Sequence, residues 1–411
     1  MEKRKAIALI GTLDSKGEEV LYVKRLIEGR GQRVLVMDTG VRGRPAFAAD
    51  FPRERVAAAV GADVAELARA GDRGRALETM MAGAAAILTD LHATGQLAGA
   101  IGLGGGSGTS VASGALRALP FGLPKVMAST KGGGDVAPFV GTKDIAMLPT
   151  VTDIMGLNPL LRRVLANAAG AIVGMVEMVD QLAPEAGASA PKPAVAITAF
   201  GVTTPAAMVC RDLLAERGLE TLIFHANGTG GRAMEEMIDQ GTVAAVLDLT
   251  TTELADELCD GTQSAGPHRL EAAARRGLPQ VVVPGAMDMT NYSPPEAVPA
   301  RYGGRLFYRH SPSGLLMRTS AEENAVLGRW VGERIARSRG PAALLLPLRG
   351  FSEYDREGGV FYDPAADRAF IEAALAAADG IETVQMDAHI NDPEFAVAAV
   401  RLLLRLMGER N

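Results

Sequence analysis

Three consecutive glycines, Gly104, Gly105 and Gly106, followed by Ser107, Gly108, Thr109 and Ser110, are the residues of this chain most suited to chemistry. A short apolar run, 97–103, leads into them, and small and apolar residues at helical spacings follow through 119. Strand, glycine turn and helix, in that order, aim unpaired backbone N–H groups and the positive end of a helix at one point, where an anion is favoured. Glycine lets the anion reach backbone that a side chain would shield. Ser107, Thr109 and Ser110 add hydroxyl donors. The turn is expected to hold a phosphate or a carboxylate; the alternative is a tight turn that binds nothing.

Further polar residues end the other predicted strands. Thr12, Asp14 and Lys16 follow the first. Lys16 suits phosphate charge, and Asp14 suits Mg²⁺ or its water shell. Asp38 ends the second strand, where an acidic residue meets a ribose in dinucleotide folds, although the first turn lacks G-x-G-x-x-G spacing. Thr130, which opens the glycine turn through Asp135, and the stretch 150–153 are expected on the rim of the same cleft. In the second half, Asn227 and Gly228 begin another glycine loop after His225, expected to make a second anion contact. Thr250, Asp288, Asn291 and Arg349 are expected to meet a polar substrate. His225 and His389, the latter beside Asp387, are candidates for general acid–base work, together with Asp14 and Lys16; a structural histidine is the alternative at each. The histidines show no H-x-x-x-H or H-E-x-x-H spacing, so no metal site is expected. Neither G-x-x-x-x-G-K-[ST] nor G-x-S-x-G occurs, which excludes a P-loop of the usual type and a hydrolase elbow.

Strands alternating with helices must position these residues. Apolar runs at 6–12, 33–37, 97–103, 125–129 and 145–148 alternate with helical patterns at 18–28, 74–92 and 158–179. Ser15 with Glu18 reads as a capping box for the first helix. The stretch 182–193, rich in Ala and Pro, reads as a linker. After it the pattern restarts: residues 6–43 and 194–231 align without gaps, with Gly40 opposite Gly228 and Gly43 opposite Gly231. A helix is expected over 267–276, and the segment around His310 has no assignment. The expected fold is therefore α/β, two Rossmann-like domains with mainly parallel sheets flanked by helices, over 1–181 and 194–411. Ligands of such sheets bind beyond the carboxyl ends of the strands, here expected to face an interdomain cleft.

Composition narrows the function classes. The chain has 411 residues, 48% of them hydrophobic and 4% aromatic, which suits α/β layers. Its net charge of −6 comes with no basic run, so no nucleic-acid partner is expected. Two cysteines exclude a disulfide scaffold. The N-terminus reads as a strand rather than a signal peptide, and no stretch looks long and apolar enough to cross a bilayer, so a cytoplasmic protein is expected. The helices holding Val173 and Leu404 are apolar around much of their circumference, which points to a homodimer or higher homo-oligomer.

The motifs G-T-L-D-S-K-G-E-E (11–19), G-L-G-G-G-S-G-T-S (102–110), the segment 141–172, G-V-T-T-P-A (201–206) and P-G-A-M-D-M-T-N-Y (284–292) resemble those of the Tm-1-like ATP-binding domain family, also called uncharacterised protein family 0261. The resemblance covers essentially the whole chain. It implies a two-lobed, Rossmann-like architecture that binds ATP. The polar strand ends of both domains favour a nucleotide-using enzyme acting on a small carboxylate or carbonyl compound, with Mg²⁺ beside the nucleotide. The alternatives are a nucleotide-sensing or protein-binding module, as a plant antiviral member suggests, and a metabolic enzyme that uses no nucleotide.

Overall fold

A computed structural model of the chain describes residues 5–182 and 194–408, so the predicted linker lies, beyond Leu182, outside the described residues. The chain divides into two compact units, Met1–Ala188 and Ser189–Asn411.

The first unit runs β1 (Ala6–Gly11), α1 (Gly17–Gly29), β2 (Arg33–Asp38), α2 (Arg53–Ala58), α3 (Val64–Ala70), α4 (Arg73–Ala93), β3 (Leu97–Gly104), α5 (Gly106–Arg117), β4 (Lys125–Ser129), α6 (Ala137–Val140), β5 (Ala146–Pro149) and α7 (Pro159–Gln181). Its strands form one parallel sheet in the order β2-β1-β3-β4-β5. All six residues of β1 are buried, because helices cover both faces of the sheet. Ala8, Ile10 and Met37 pack on one side with Met80 and Val111; Ile7, Leu9 and Ile101 pack on the other with Val20, Leu165 and Ile172. The chain builds outward from β1 in one direction to β2 and in the other to β3. Between β1 and β3, therefore, the loops at the carboxyl ends part, and a crevice opens.

Three local expectations change in this unit. No side chain caps α1: the residue before it is Lys16, and the Ser15 hydroxyl instead lies 3.0 Å from that of Thr12. α7 buries a single stripe, with Leu161, Leu165, Ala168, Ile172, Val173 and Val176 in the core. Val173 thus faces its own unit. α7 is also long and apolar enough, by length and composition, to cross a membrane, contrary to the sequence reading, but in the fold that stripe packs against β3 and β4 and the helix α1.

The second unit runs β6 (Ala194–Ala199), α8 (Thr204–Glu216), β7 (Glu220–His225), α9 (Thr229–Asp239), β8 (Ala245–Thr250), α10 (Glu253–Leu258), α11 (Ala272–Arg276), β9 (Gln280–Gly285), β10 (Met289–Tyr292), β11 (Phe307–Ser311), β12 (Gly314–Arg318), α12 (Ala321–Ala336), β13 (Ala342–Pro347), α13 (Pro364–Ala377), β14 (Glu382–Met386) and α14 (Pro393–Leu406). Six strands form a parallel sheet in the order β14-β13-β9-β8-β6-β7. Leu404 lies in its core beside α8 and the sheet. The segment holding His310 is β11, part of an antiparallel sheet β10-β12-β11 that has no counterpart among the described residues of the first unit. The helix expected over 267–276 begins only at Ala272, because Arg269 is drawn into the core and Leu270 adopts a left-handed φ of 76°.

Candidate functional site

The crevice between β1 and β3 in the first unit is a cavity of about 530 Å³. Its walls come from the turn after β1 (Thr12, Asp14, Lys16), from the loop after β2 (Gly40 to Arg42), and from Gly105 to Gly108. The start of α4 (Asp72, Arg73, Ala76, Leu77) and Asp153 complete it. Three helices therefore begin at one place: α1, α4 and α5. Asp72 caps α4, while α1 and α5 carry no side-chain cap. Uncapped helix starts leave backbone N–H groups and positive dipole ends for a ligand.

The glycines of the turn divide by role. A Cβ on Gly104 would lie 2.3 Å from the Thr109 backbone nitrogen, so that glycine serves the strand-to-helix turn itself. Beside Gly105 and Gly106 a Cβ would meet nothing closer than 3.8 Å, and φ is not left-handed at either. Neither the fold nor the backbone conformation demands glycine there. What their bareness does is open α5's first turn to the cavity.

Lys16 is half-buried, and its ammonium donates to the carbonyl of Ile154. Arg73, which the sequence reading missed, donates to the Ser107 hydroxyl at 2.8 Å. Lys131 also stands by the turn, since its Cε would be 3.8 Å from a Cβ on Gly106. Thr130 is exposed beside Gly105, and its backbone N–H donates to Gly104. Arg73 lies at the start of a helix 34 residues before the Ser107 it meets, and the packing of α4 on α5 brings it there.

Two expectations for this site are corrected. Thr109 does not face the cavity. It is fully buried, and its hydroxyl donates to the Gly104 carbonyl at 3.1 Å and lies 2.6 Å from that of Ser129. Asp38 is not placed to meet a ribose. It is buried, accepting the N–H groups of Leu13 and Gly40 through one oxygen, at 3.0 and 2.9 Å, and the Arg53 Nε through the other at 2.8 Å. Arg53 also reaches Asp14 at 3.4 Å, and the Arg42 N–H donates to the same Asp14 oxygen at 3.2 Å. Asp14 therefore lines the cavity as a carboxylate held in place from behind.

The predicted residues of the second unit do not form one site. Thr250 is buried, and its hydroxyl lies 2.7 Å from that of Thr203. Asn291 is buried and donates to Asp256 at 2.8 Å. Asp288 is buried and accepts the Ser352 hydroxyl at 2.7 Å. Burial and the neighbouring Asp355 push the Asp288 carboxyl up to about 7. None of the three is open to a substrate. Gly228 is buried with φ at 84°, and its N–H is committed to Glu253. His225 and Asn227 are exposed; His225 stacks on Phe200 with ring centroids 5.2 Å apart.

Arg349 and His389 do share a cavity, of about 900 Å³, at the carboxyl ends of β13 and β14. Arg349 makes a two-pronged pair with Asp387 at 2.8 and 2.9 Å, both side chains well exposed. His389 is buried, with Nε2 2.9 Å from the Ser352 carbonyl and Nδ1 accepting the Asn391 N–H. Those partners fix one neutral tautomer and occupy both ring nitrogens, so His389 is built as a structural histidine. Asp367, unnoticed in the sequence, lines the same cavity. Its carboxyl is pushed up to about 8 by burial and by Asp355. Among the described residues no group of three or more His, Cys, Asp or Glu side chains is arranged to hold a metal ion.

An α/β chain of two parallel-sheet units, with an open helix-start crevice in the first, also matches known sequences throughout. It matches two profiles of the Uncharacterised protein family (UPF0261), the N-terminal domain over residues 5–181 and the C-terminal domain over 192–407. The chain belongs to this family. A UPF0261 protein of Clostridium tetani is 44% identical over 405 residues, covering 98% of this chain and 99% of that one. The ToMV resistance protein Tm-1(GCR237) of Solanum lycopersicum is 37% identical over 337 residues, 81% of this chain and 45% of the tomato protein. A UDP-N-acetylglucosamine 2-epimerase from Rickettsia bellii aligns over 68% of this chain and 79% of its own at 12% identity, with a TM-score of 0.23, too slight a likeness to bear on function.

Proposed function

We propose that the first unit binds ATP or a related nucleotide, with the phosphates on the start of α5. The observation that carries this reading is the bareness of Gly105 and Gly106: their missing side chains leave an uncapped helix start open to a cavity that also receives Lys16 and Arg73. Val41, Leu67, Ala76 and Leu77 give the same cavity an apolar wall, which suits the base. Mg²⁺ would arrive with the nucleotide, with Asp14 or Asp153 nearest to its water shell.

The reading extends to an enzyme of small-molecule metabolism. ATP supplies an activated phosphoryl group when bound; the chain's own residues bind, orient and neutralise charge. Arg349 in the second unit is exposed and already pairs with a carboxylate, that of Asp387, so a substrate carboxylate has a ready partner there.

A second reading, a module that senses nucleotide or binds a protein, is favoured by one observation: His389, Thr250, Asp288 and Asn291 are all buried and each makes an internal hydrogen bond. The tomato relative, described as a virus resistance protein, fits it as well. Calorimetry with ATP–Mg²⁺ on the intact chain tests the nucleotide. Absence of heat removes the nucleotide from both readings and leaves a protein-binding module or an enzyme that uses no nucleotide. Where heat is seen, chromatography of the nucleotide after incubation with carboxylate and carbonyl metabolites separates consumption from sensing.

A further inference from the structure

The second unit repeats the strand order of the first, so its own crevice should open between β6 and β8. There the chain fills the space itself: Thr203, Thr250, Thr251, Thr252 and Glu253, at the ends of those strands, are fully buried. Glu253 turns back onto the glycine loop at the start of α9. One carboxylate oxygen accepts the N–H groups of Gly228 and Gly231 at 2.7 and 3.0 Å, and the other accepts the Arg269 Nε at 2.6 Å. A Cβ on Gly231 would lie 2.0 Å from that carboxylate, so glycine at this position admits an anion that the chain itself supplies.

We propose that Glu253 is a built-in substitute for a ligand's phosphate. The second glycine loop is an oxyanion cradle of two backbone N–H groups and the buried Arg269, occupied from within. The chain accordingly takes one nucleotide and not two. An internal carboxylate outcompetes a dissolved anion because its effective concentration is set by the fold. Arg269 fixes it there: fully buried, it also grips Asp248 at 2.5 and 2.7 Å, and a guanidinium so desolvated requires the carboxylates around it. The stoichiometry rests on the nucleotide reading above; the cradle does not.

The test uses the full chain and inorganic phosphate, with chloride at equal ionic strength as the control. Glu253→Ala should melt below the parent chain, and phosphate should restore roughly half or more of the lost Tm, by binding the folded state in place of the carboxylate. The parent Tm should rise far less. Equal phosphate responses in the two proteins would overturn the cradle. Should Glu253→Ala be recovered only as aggregate, its soluble yield on refolding is the readout: a several-fold gain in phosphate over chloride supports the cradle, and no gain overturns it. ATP–Mg²⁺ titrated into the parent chain should give one site. Two sites would refute the occlusion, whereas no binding together with phosphate rescue would remove the nucleotide reading and leave the cradle standing.

Discussion

The ammonium of Lys16 donates to the backbone carbonyl of Ile154, 138 residues away in sequence. A cation lining the crevice is thus held by a neutral acceptor. A phosphate oxygen is the stronger partner, since its negative charge adds an ion–ion attraction that a carbonyl dipole does not supply. Lys16→Met should therefore weaken ATP–Mg²⁺ binding by about tenfold or more, read by calorimetry, while thermal stability changes little. Unchanged affinity would remove Lys16 from the site.

Gly104 and Gly106 should respond in opposite ways. Gly104→Ala forces a Cβ against the α5 backbone and should lower Tm by several degrees. Gly106→Asp meets nothing closer than the Lys131 Cε at 3.8 Å and places a carboxylate in the first turn of an uncapped helix, which is neutral or stabilising for the fold. The same carboxylate repels phosphate. Folded, stable Gly106→Asp that binds ATP like the parent chain would refute the phosphate position.

Asp38 and Arg53 form a buried pair behind the crevice, 2.8 Å apart. Removing one member strands the other charge, at a cost of about 3–5 kcal/mol. Urea unfolding of Arg53→Met should show a loss of that order. A loss under about 1 kcal/mol would mean the pair is not what fixes the loop after β2.

Asp367, Asp355 and Asp288 surround the single guanidinium of Arg318, and burial and the neighbouring Asp355 push the Asp367 carboxyl up to about 8. An unfolded Asp releases its proton near pH 4. Between those values the folded state holds a proton that the unfolded state does not, so stability falls as pH rises from about 4 to about 8 and levels off above. Asp367→Asn should flatten that fall, gaining on the parent chain at pH 9 relative to pH 5. Parallel Tm profiles of the two proteins would show that Asp367 is ionised throughout.

The homo-oligomer expected from the apolar helices is tested at residues other than Val173 and Leu404, which the fold buries. Gly170 on α7 has no atom within 4 Å of a built Cβ, and Leu160, Met178 and Val179 on the same helix are exposed. We expect light scattering to give about twice the 42.8 kDa chain mass, and Gly170→Leu to give folded monomer. A parent chain that scatters as a monomer ends the proposal.

Periodicity and punctuation in the sequence determine the layers of this protein. The runs 6–12 and 97–103 are apolar without alternation, as strands covered on both faces must be, and Gly104 to Gly108 mark a strand-to-helix turn by composition alone. Such signals are local: they read the next few residues of backbone. What they leave open is whether a polar residue at a strand end faces a cavity or the core. Asp14 and Asp38 look alike in sequence, yet one lines the crevice and the other is buried against Arg53. The two glycine loops look alike as well, yet one opens to solvent and the other closes on Glu253, which stands 22 residues beyond Gly231. Arg53, Arg73 and Glu253 carry no local signal of their roles, because burial and ion pairing are set by strand order and by segments distant in the chain. Tertiary structure alone decided which glycine loop stays open and which is closed by a carboxylate of the chain itself.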